Sequence, residues 1–144
     1  MSLFWEGVTL FFSCLLAATI VPFSSEALLI GATELGEMSS YYAYFIATAG
    51  NVTGCIINYL IGRYAGEKLS KKFGMGQKSI DKWHSRFEKY DKLLWALNWV
   101  PIIGDPITIY AGVVRLRFWE FLLWVVPLRA ARYILVLLFW EKFV

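Results

Sequence analysis

The stretch Pro101-Ile102-Ile103-Gly104-Asp105-Pro106 interrupts an otherwise apolar run from Leu93 to Val114. It sets a carboxylate between helix breakers where a membrane helix would be smooth. Proline removes a backbone donor and clashes with the preceding turn. Such a break survives at membrane depth only where packed protein or a water-filled cavity covers it. The feature predicts a polar site inside a bilayer. Composition points the same way, because 58% hydrophobic residues, 18% aromatics and a mean hydropathy of +0.55 exceed the usual share of a soluble domain. At about 20 residues per crossing, 144 residues leave room for about three spanning helices, re-entrant pieces and one aqueous segment, all in a single domain over residues 1–144. The expected class is an all-α integral membrane protein, with no large soluble catalytic domain.

Cys14 and Cys55 both lie in apolar segments, where they are expected to pack as small hydrophobes without forming a disulfide. The first apolar run, Gly7 to Phe23, lacks a basic flank. It is followed by Pro22-Phe23-Ser24-Ser25-Glu26 in place of a small-residue cleavage site, so it reads as a retained segment.

Charge sets the expected topology. Met38 to Gly62 carries no charge and is the cleanest spanning helix. The following segment, 63–92, holds Arg63, Lys68, Lys71, Lys72, Lys78, Lys82, Arg86, Lys89 and Lys92 against Glu67, Asp81, Glu88 and Asp91, which places it in the cytoplasm. The connection from Glu34 to Ser40 has acids and no base, so it fits the outside. If Leu93 to Val114 crossed the membrane, Arg115 and Arg117 would lie outside. A hairpin that dips in and returns keeps them cytoplasmic. Phe118 to Trp140 then crosses outward. Pro22 to Leu35 is likewise short and broken and precedes a clean helix. The chain thus reads as an inverted repeat, each half a re-entrant hairpin followed by a transmembrane helix, the arrangement that places a transporter site at the bilayer midplane.

Four ionisable residues fall at membrane depth on this plan: Glu26 and Asp105 in the broken segments, Arg129 and Arg132 near the middle of the last helix. Each costs roughly 2.5 to 3.5 kcal/mol at the centre of a lone helix, so four unpaired charges would be hard to insert. Two acids and two bases offset one another, and arginines three apart share a helical face that can meet both carboxylates. The plainer alternative has the arginines snorkelling to an interface and Glu26 at headgroup level. On the clean helix, Gly50, Gly54, Asn58 and Gly62 recur every four residues and make one face small and polar. The glycines fit close helix packing. Asn51 and Asn58, on the same face, serve either packing or the site, by hydrogen bonds to unwound hairpin backbone.

In the cytoplasmic segment Ile80, Trp83, Phe87, Tyr90 and Leu94 follow helical spacing opposite Lys78, Lys82, Arg86 and Lys89, which predicts an amphipathic helix at the interface. Basic residues there attract anionic lipid headgroups, although an inert topology anchor is the commoner meaning of such a pattern. His84 has no assigned role. No metal cluster, nucleophile with its base or phosphate loop occurs, so no enzyme activity, metal or cofactor is expected. Nucleic acid is not an expected partner.

The residues Pro22-x-x-x-Glu26, Gly50-Asn51-x-x-Gly54-x-x-x-Asn58-Tyr59-x-x-Gly62-Arg63-x-x-Gly66, Trp99-x-Pro101-x-x-Gly104-Asp105-Pro106, Ala111-Gly112-x-x-Arg115 and Arg129-x-x-Arg132-Tyr133 together resemble the DedA family, the VTT or SNARE-associated domain proteins, and in particular its short YqaA-like branch. The resemblance runs over nearly the whole chain. It implies a multi-pass protein of the bacterial inner membrane with two opposed re-entrant hairpins, acting in membrane homeostasis. Some members move polyprenyl-phosphate or phospholipid headgroups, coupled to protons or other ions. Longer members look to carry arginines around the second-hairpin proline, in a pattern Arg-Phe-x-Pro-x-x-Arg. Asn98, Trp99, Pro101 and Gly104 stand there in this chain, and Arg129 and Arg132 would supply the missing charge from the last helix. The expected function is therefore an ion-coupled transporter or flippase of an anionic lipid headgroup, with Glu26 and Asp105 as proton-responsive carboxylates and Arg129 and Arg132 as anion contacts. The rival is a non-transporting structural or assembly protein, homo-oligomeric through its glycine face.

Overall fold

The computed structural model describes residues 2–19, 25–36, 38–72, 77–98 and 104–143. Among these there is no strand; the elements are helices α1 (Leu3–Thr19), α2 (Ser25–Leu35), α3 (Ser40–Lys72), α4 (Gln77–Lys89), α5 (Asp91–Asn98), α6 (Gly104–Val113) and α7 (Phe118–Phe143). The two long helices answer the two cleanest apolar runs. Ser40–Lys68 within α3 and the whole of α7 are long and apolar enough to cross a membrane. By the rise per residue α2 and α6 reach only about 15 to 17 Å, roughly half the hydrocarbon thickness.

One boundary differs from the sequence expectation. The helix that begins near Met38 does not stop at Gly62 but continues to Lys72, into the basic segment. Arg63 to Lys72 is rich in Lys, Glu, Ala and Leu, good helix formers, and Gly66 alone is too weak a breaker to end a helix already propagating. The apolar-to-basic boundary marks a change of surroundings, not of backbone. The expected amphipathic helix is present as α4, followed by the short α5.

The chain divides into two compact units, residues 1–54 with 126–144 and residues 55–125. In the first, α1 packs along α2. Leu10, Cys14, Leu29, Met38, Ala43, Ala47 and Tyr133 form its core. Gly50 of α3 lies so close to α1 that a methyl group there would overlap the Phe11 carbonyl oxygen. In the second unit α5 packs on α6, and the core is aromatic: Phe87, Trp95, Phe121 and Tyr59 are buried. The Trp95 and Trp124 rings stack at 5.9 Å and 6°. Gly62 of α3 meets the Ile109 carbonyl and Gly112 of α6 meets the Tyr59 carbonyl, so the glycines on both helices permit one backbone-to-backbone crossing. The α6 C-terminus closes with Leu116 N–H donating to the Ala111 carbonyl (3.0 Å) and Arg115 N–H to the Gly112 carbonyl (3.0 Å). That capping motif puts Arg115 in the left-handed region at φ 57°.

Polarity is distributed as lipid would require. The buried polar side chains include Asn51, Asn58, Thr108, Arg129 and Arg132, whereas Phe4, Trp5, Phe12, Tyr41, Phe45, Leu60, Ile61, Trp119, Leu123, Leu138 and Phe139 are exposed. In water that arrangement would leave large apolar patches exposed. In a bilayer the apolar exterior is solvated and the polar groups are kept away from the hydrocarbon. Cys14 and Cys55 are fully buried and not joined in a disulfide, as small hydrophobes should be.

Candidate functional site

Glu26 and Arg132 meet within the first unit. Arg132 Nε lies 2.7 Å from Glu26 Oε1, with the two side chains 7% and 14% exposed. Glu26 sits in the first turn of α2, where the positive end of the helix dipole favours a carboxylate. The register of α7 turns Arg129 and Arg132 inward together, and both are buried at 2% and 6%. Arg132 Nη1 is buried and has no hydrogen-bond partner among the described residues. A guanidinium offers five donors in a planar fork, so Glu26 occupies only part of what this side chain presents.

Asn51, on α3 in the same unit, is buried at 2%. Tyr44, which the sequence did not single out, donates its hydroxyl to the Ala130 carbonyl at 3.2 Å and so ties α3 to α7 in the turn between the two arginines. Thr48 Oγ1, one helical turn beyond Tyr44, is buried without a partner among the described residues. A tyrosine or threonine on an apolar helix gives no sign in one dimension of whether it faces lipid or protein, which is why both escaped notice.

Asn58 belongs to the second unit. Its Nδ2 donates to Thr108 Oγ1 of α6 at 3.2 Å, both side chains buried. The bond joins two helices at their close crossing, the packing role that was one of the two expected for this side chain. Nearby, the buried Tyr59 hydroxyl donates to the Leu116 carbonyl and receives a hydrogen bond from Arg63 Nη1 at 3.3 Å. Arg115 Nη2 lies 3.7 Å from Glu67 Oε1. Asp105 stands in the first turn of α6 by its backbone, while its side chain and residues Trp99 to Ile103, Pro101 among them, lie outside the described residues. Pro22 lies outside them as well. Pro106, also in that first turn, occupies a part of a helix whose N–H groups have no helical acceptor. Among the described residues no group of three or more His, Cys, Asp or Glu is arranged to hold a metal ion.

An apolar exterior, two helices long enough to span and charged side chains paired in the interior define a helical membrane protein with an internal polar site. The family model for the VTT domain matches residues 15–140, and the chain belongs to that family, the DedA proteins. It is 27% identical over 128 residues to the inner membrane protein YqaA of Escherichia coli, covering 89% of this chain and 86% of that one. An uncharacterized protein of Haemophilus influenzae is 30% identical over 145 residues, covering 93% and 88%. The undecaprenyl phosphate transporter A of Bacillus subtilis is 28% identical over 91 residues, covering 60% of this chain and 46% of that one. No solved structure matches the chain.

Proposed function

We propose that this protein acts as one domain over residues 1–144 and translocates an anionic lipid headgroup across a bacterial inner membrane, coupled to protons, and that it is not an enzyme. Arg132 carries the reading. It is a buried guanidinium that spends one edge on Glu26 and keeps a further N–H group, at Nη1, without an acceptor among the described residues. A phosphate offers the matching acceptor geometry. Arg129, one turn earlier on the same inward face, provides a second donor set, and Asn51 a neutral one on α3. Glu26 competes with the anion for Arg132, so protonating it would free the guanidinium for the headgroup and ionising it would expel the headgroup. Asp105 plays the corresponding part in the other half, with Asn58 holding α6 to α3.

The short α2 and α6, each followed in the chain by a long apolar helix, support the inverted repeat of two re-entrant hairpins, and the basic segment 63–92 supports a cytoplasmic location for the loop between the halves. The name of the Bacillus subtilis relative, a transporter of a lipid phosphate, fits the same reading.

A specific observation favours a second reading. A Glu–Arg pair at 2.7 Å with little exposure is also what a non-transporting structural protein would hold closed. Purified protein in liposomes separates the two. Headgroup flipping should depend on a pH gradient and fall by at least about tenfold in Glu26→Gln, Asp105→Asn, Arg129→Lys and Arg132→Lys, with the protein still inserted; lysine keeps the charge but cannot reproduce the bidentate fork. Wild-type protein that flips nothing, or lysine variants that flip at the wild-type rate, would defeat the transport reading.

A further inference from the structure

The basic face of α4 is not evenly surrounded. At 100° per residue Lys78, Lys82, Arg86 and Lys89 fall within an arc of about 80°, and all four are exposed. Going one way round the helix, past Ser79, come Tyr90 and Trp83, about half exposed, and then the fully buried Phe87. The opposite flank carries Asp81, Glu88 and His84, with His84 Nδ1 3.6 Å from Glu88 Oε1. The helix is therefore polarised sideways, cations and aromatics on one flank, acids and the single histidine on the other.

Two contacts bind the cationic flank to its aromatics. The Arg86 guanidinium lies 5.1 Å from the Trp83 ring centre, and Lys89 Nζ lies 5.5 Å from that of Tyr90. Half-exposed Trp and Tyr beside cations are the side chains that settle at the headgroup level of a bilayer, ring in the acyl boundary and charge at the phosphates. The orientation is held from within the unit. Phe87 packs against Trp95 and Tyr110 at ring separations of 5.6 Å each, and the Tyr110 hydroxyl of α6 reaches the Trp83 carbonyl at 3.5 Å. The helix cannot roll freely about its axis to present its acidic flank instead.

We infer that the Lys78–Lys82–Arg86–Lys89 flank of α4, edged by Trp83 and Tyr90, is a docking surface for the anionic lipids of one bilayer leaflet. It gathers them on one side of α4, beside α6 and the segment opened by Gly104-Asp105-Pro106. Charge complementarity and the aromatic edge fit a lipid surface, where cations meet the phosphates and the rings settle at the acyl boundary. Each cation near an anionic surface contributes about a factor of five to the attraction. The inference does not require that the protein move anything.

The test uses the full chain in phosphatidylcholine bilayers containing trace spin-labelled phosphatidylglycerol or spin-labelled phosphatidylcholine. The motionally restricted fraction of each probe measures its association with the protein. Wild type should prefer the glycerol lipid several-fold, and the preference should shrink with added salt. Neutralising the flank (K78Q, K82Q, R86Q and K89Q together) should bring the ratio to about one. Neutralising the opposite flank (D81N with E88Q) should preserve or raise it. K78Q/K82Q and R86Q/K89Q, each expected to remove part of the preference, keep the test usable if the fourfold variant does not fold. A control that removes four cations elsewhere, K68Q/K92Q/R117Q/K142Q, should leave most of the preference intact. Equal loss in that control, no preference in wild type, or a flank whose neutralisation changes only self-association would each overturn the proposal. Because no headgroup flipping is read, failure of this experiment and failure of the transport assay are distinguishable.

Discussion

Arg132 shows why a paired charge inside a membrane protein is a question about alternatives. Left alone in hydrocarbon, Glu26 or Arg132 would cost several kcal/mol, and each makes the other tolerable at 2.7 Å. Removing one partner strands the other. Removing both strands neither. Glu26→Gln and Arg132→Gln should therefore each lower the thermal midpoint in detergent, while the double variant should lose less than the sum of the two. The coupling should be about 1 to 3 kcal/mol, in the range measured for groups sharing one network. Additive losses would mean that the two side chains do not stabilise one another. Tyr44 adds a local constraint: by holding the Ala130 carbonyl it fixes the turn of α7 that carries Arg129 and Arg132, so its hydroxyl bears on where the two guanidinium groups point.

At the scale of the helices, the stripe of small residues on α3 marks close packing, whereas the glycine of α2 does not. Gly50 and Gly62 both lie against the backbone of another helix, so any side chain would force the helices apart; Gly31 of α2 has open space where a Cβ would stand. Gly62→Ala should accordingly abolish monodisperse protein on size-exclusion chromatography, whereas Gly31→Ala should be tolerated and gain up to about 1 kcal/mol from helix propensity. The same stripe shows what was legible in one dimension. Its four-residue period identified a packing face correctly, because helical period and side-chain size are local properties. It did not reveal that Asn58 pairs with Thr108, since Thr108 lies fifty residues away in the chain and threonine carries no mark of burial. Glu26 and Arg132 were legible because a charge in an apolar run demands an offset, and the chain offers few. The end of α3 was misread for a related reason. Hydropathy reports solvent, and the helix continues across the change of solvent to Lys72.

For the whole molecule, sidedness turns on 93–114. Read as a crossing, this segment would put Lys78 and Arg117 on opposite faces of the membrane. Read as a hairpin, α5 going in and α6 returning, it leaves both on one face. The short lengths of α5 and α6, 8 and 10 residues, are consistent with the proposed hairpin, since neither helix alone reaches across the hydrocarbon. Thiol labelling can decide this with little background, because Cys14 and Cys55 are fully buried and need not be replaced. Single cysteines at Lys78 and at Arg117, both exposed positions, should react with a membrane-impermeant maleimide only in inside-out vesicles and not in intact cells. The bias of 63–92 toward Lys and Arg predicts that side for Lys78, and Arg115 with Arg117 predicts it independently for the far end of the hairpin. Labelling of the Arg117 position from the outside would make the second segment a crossing. That outcome would overturn the proposed inverted repeat.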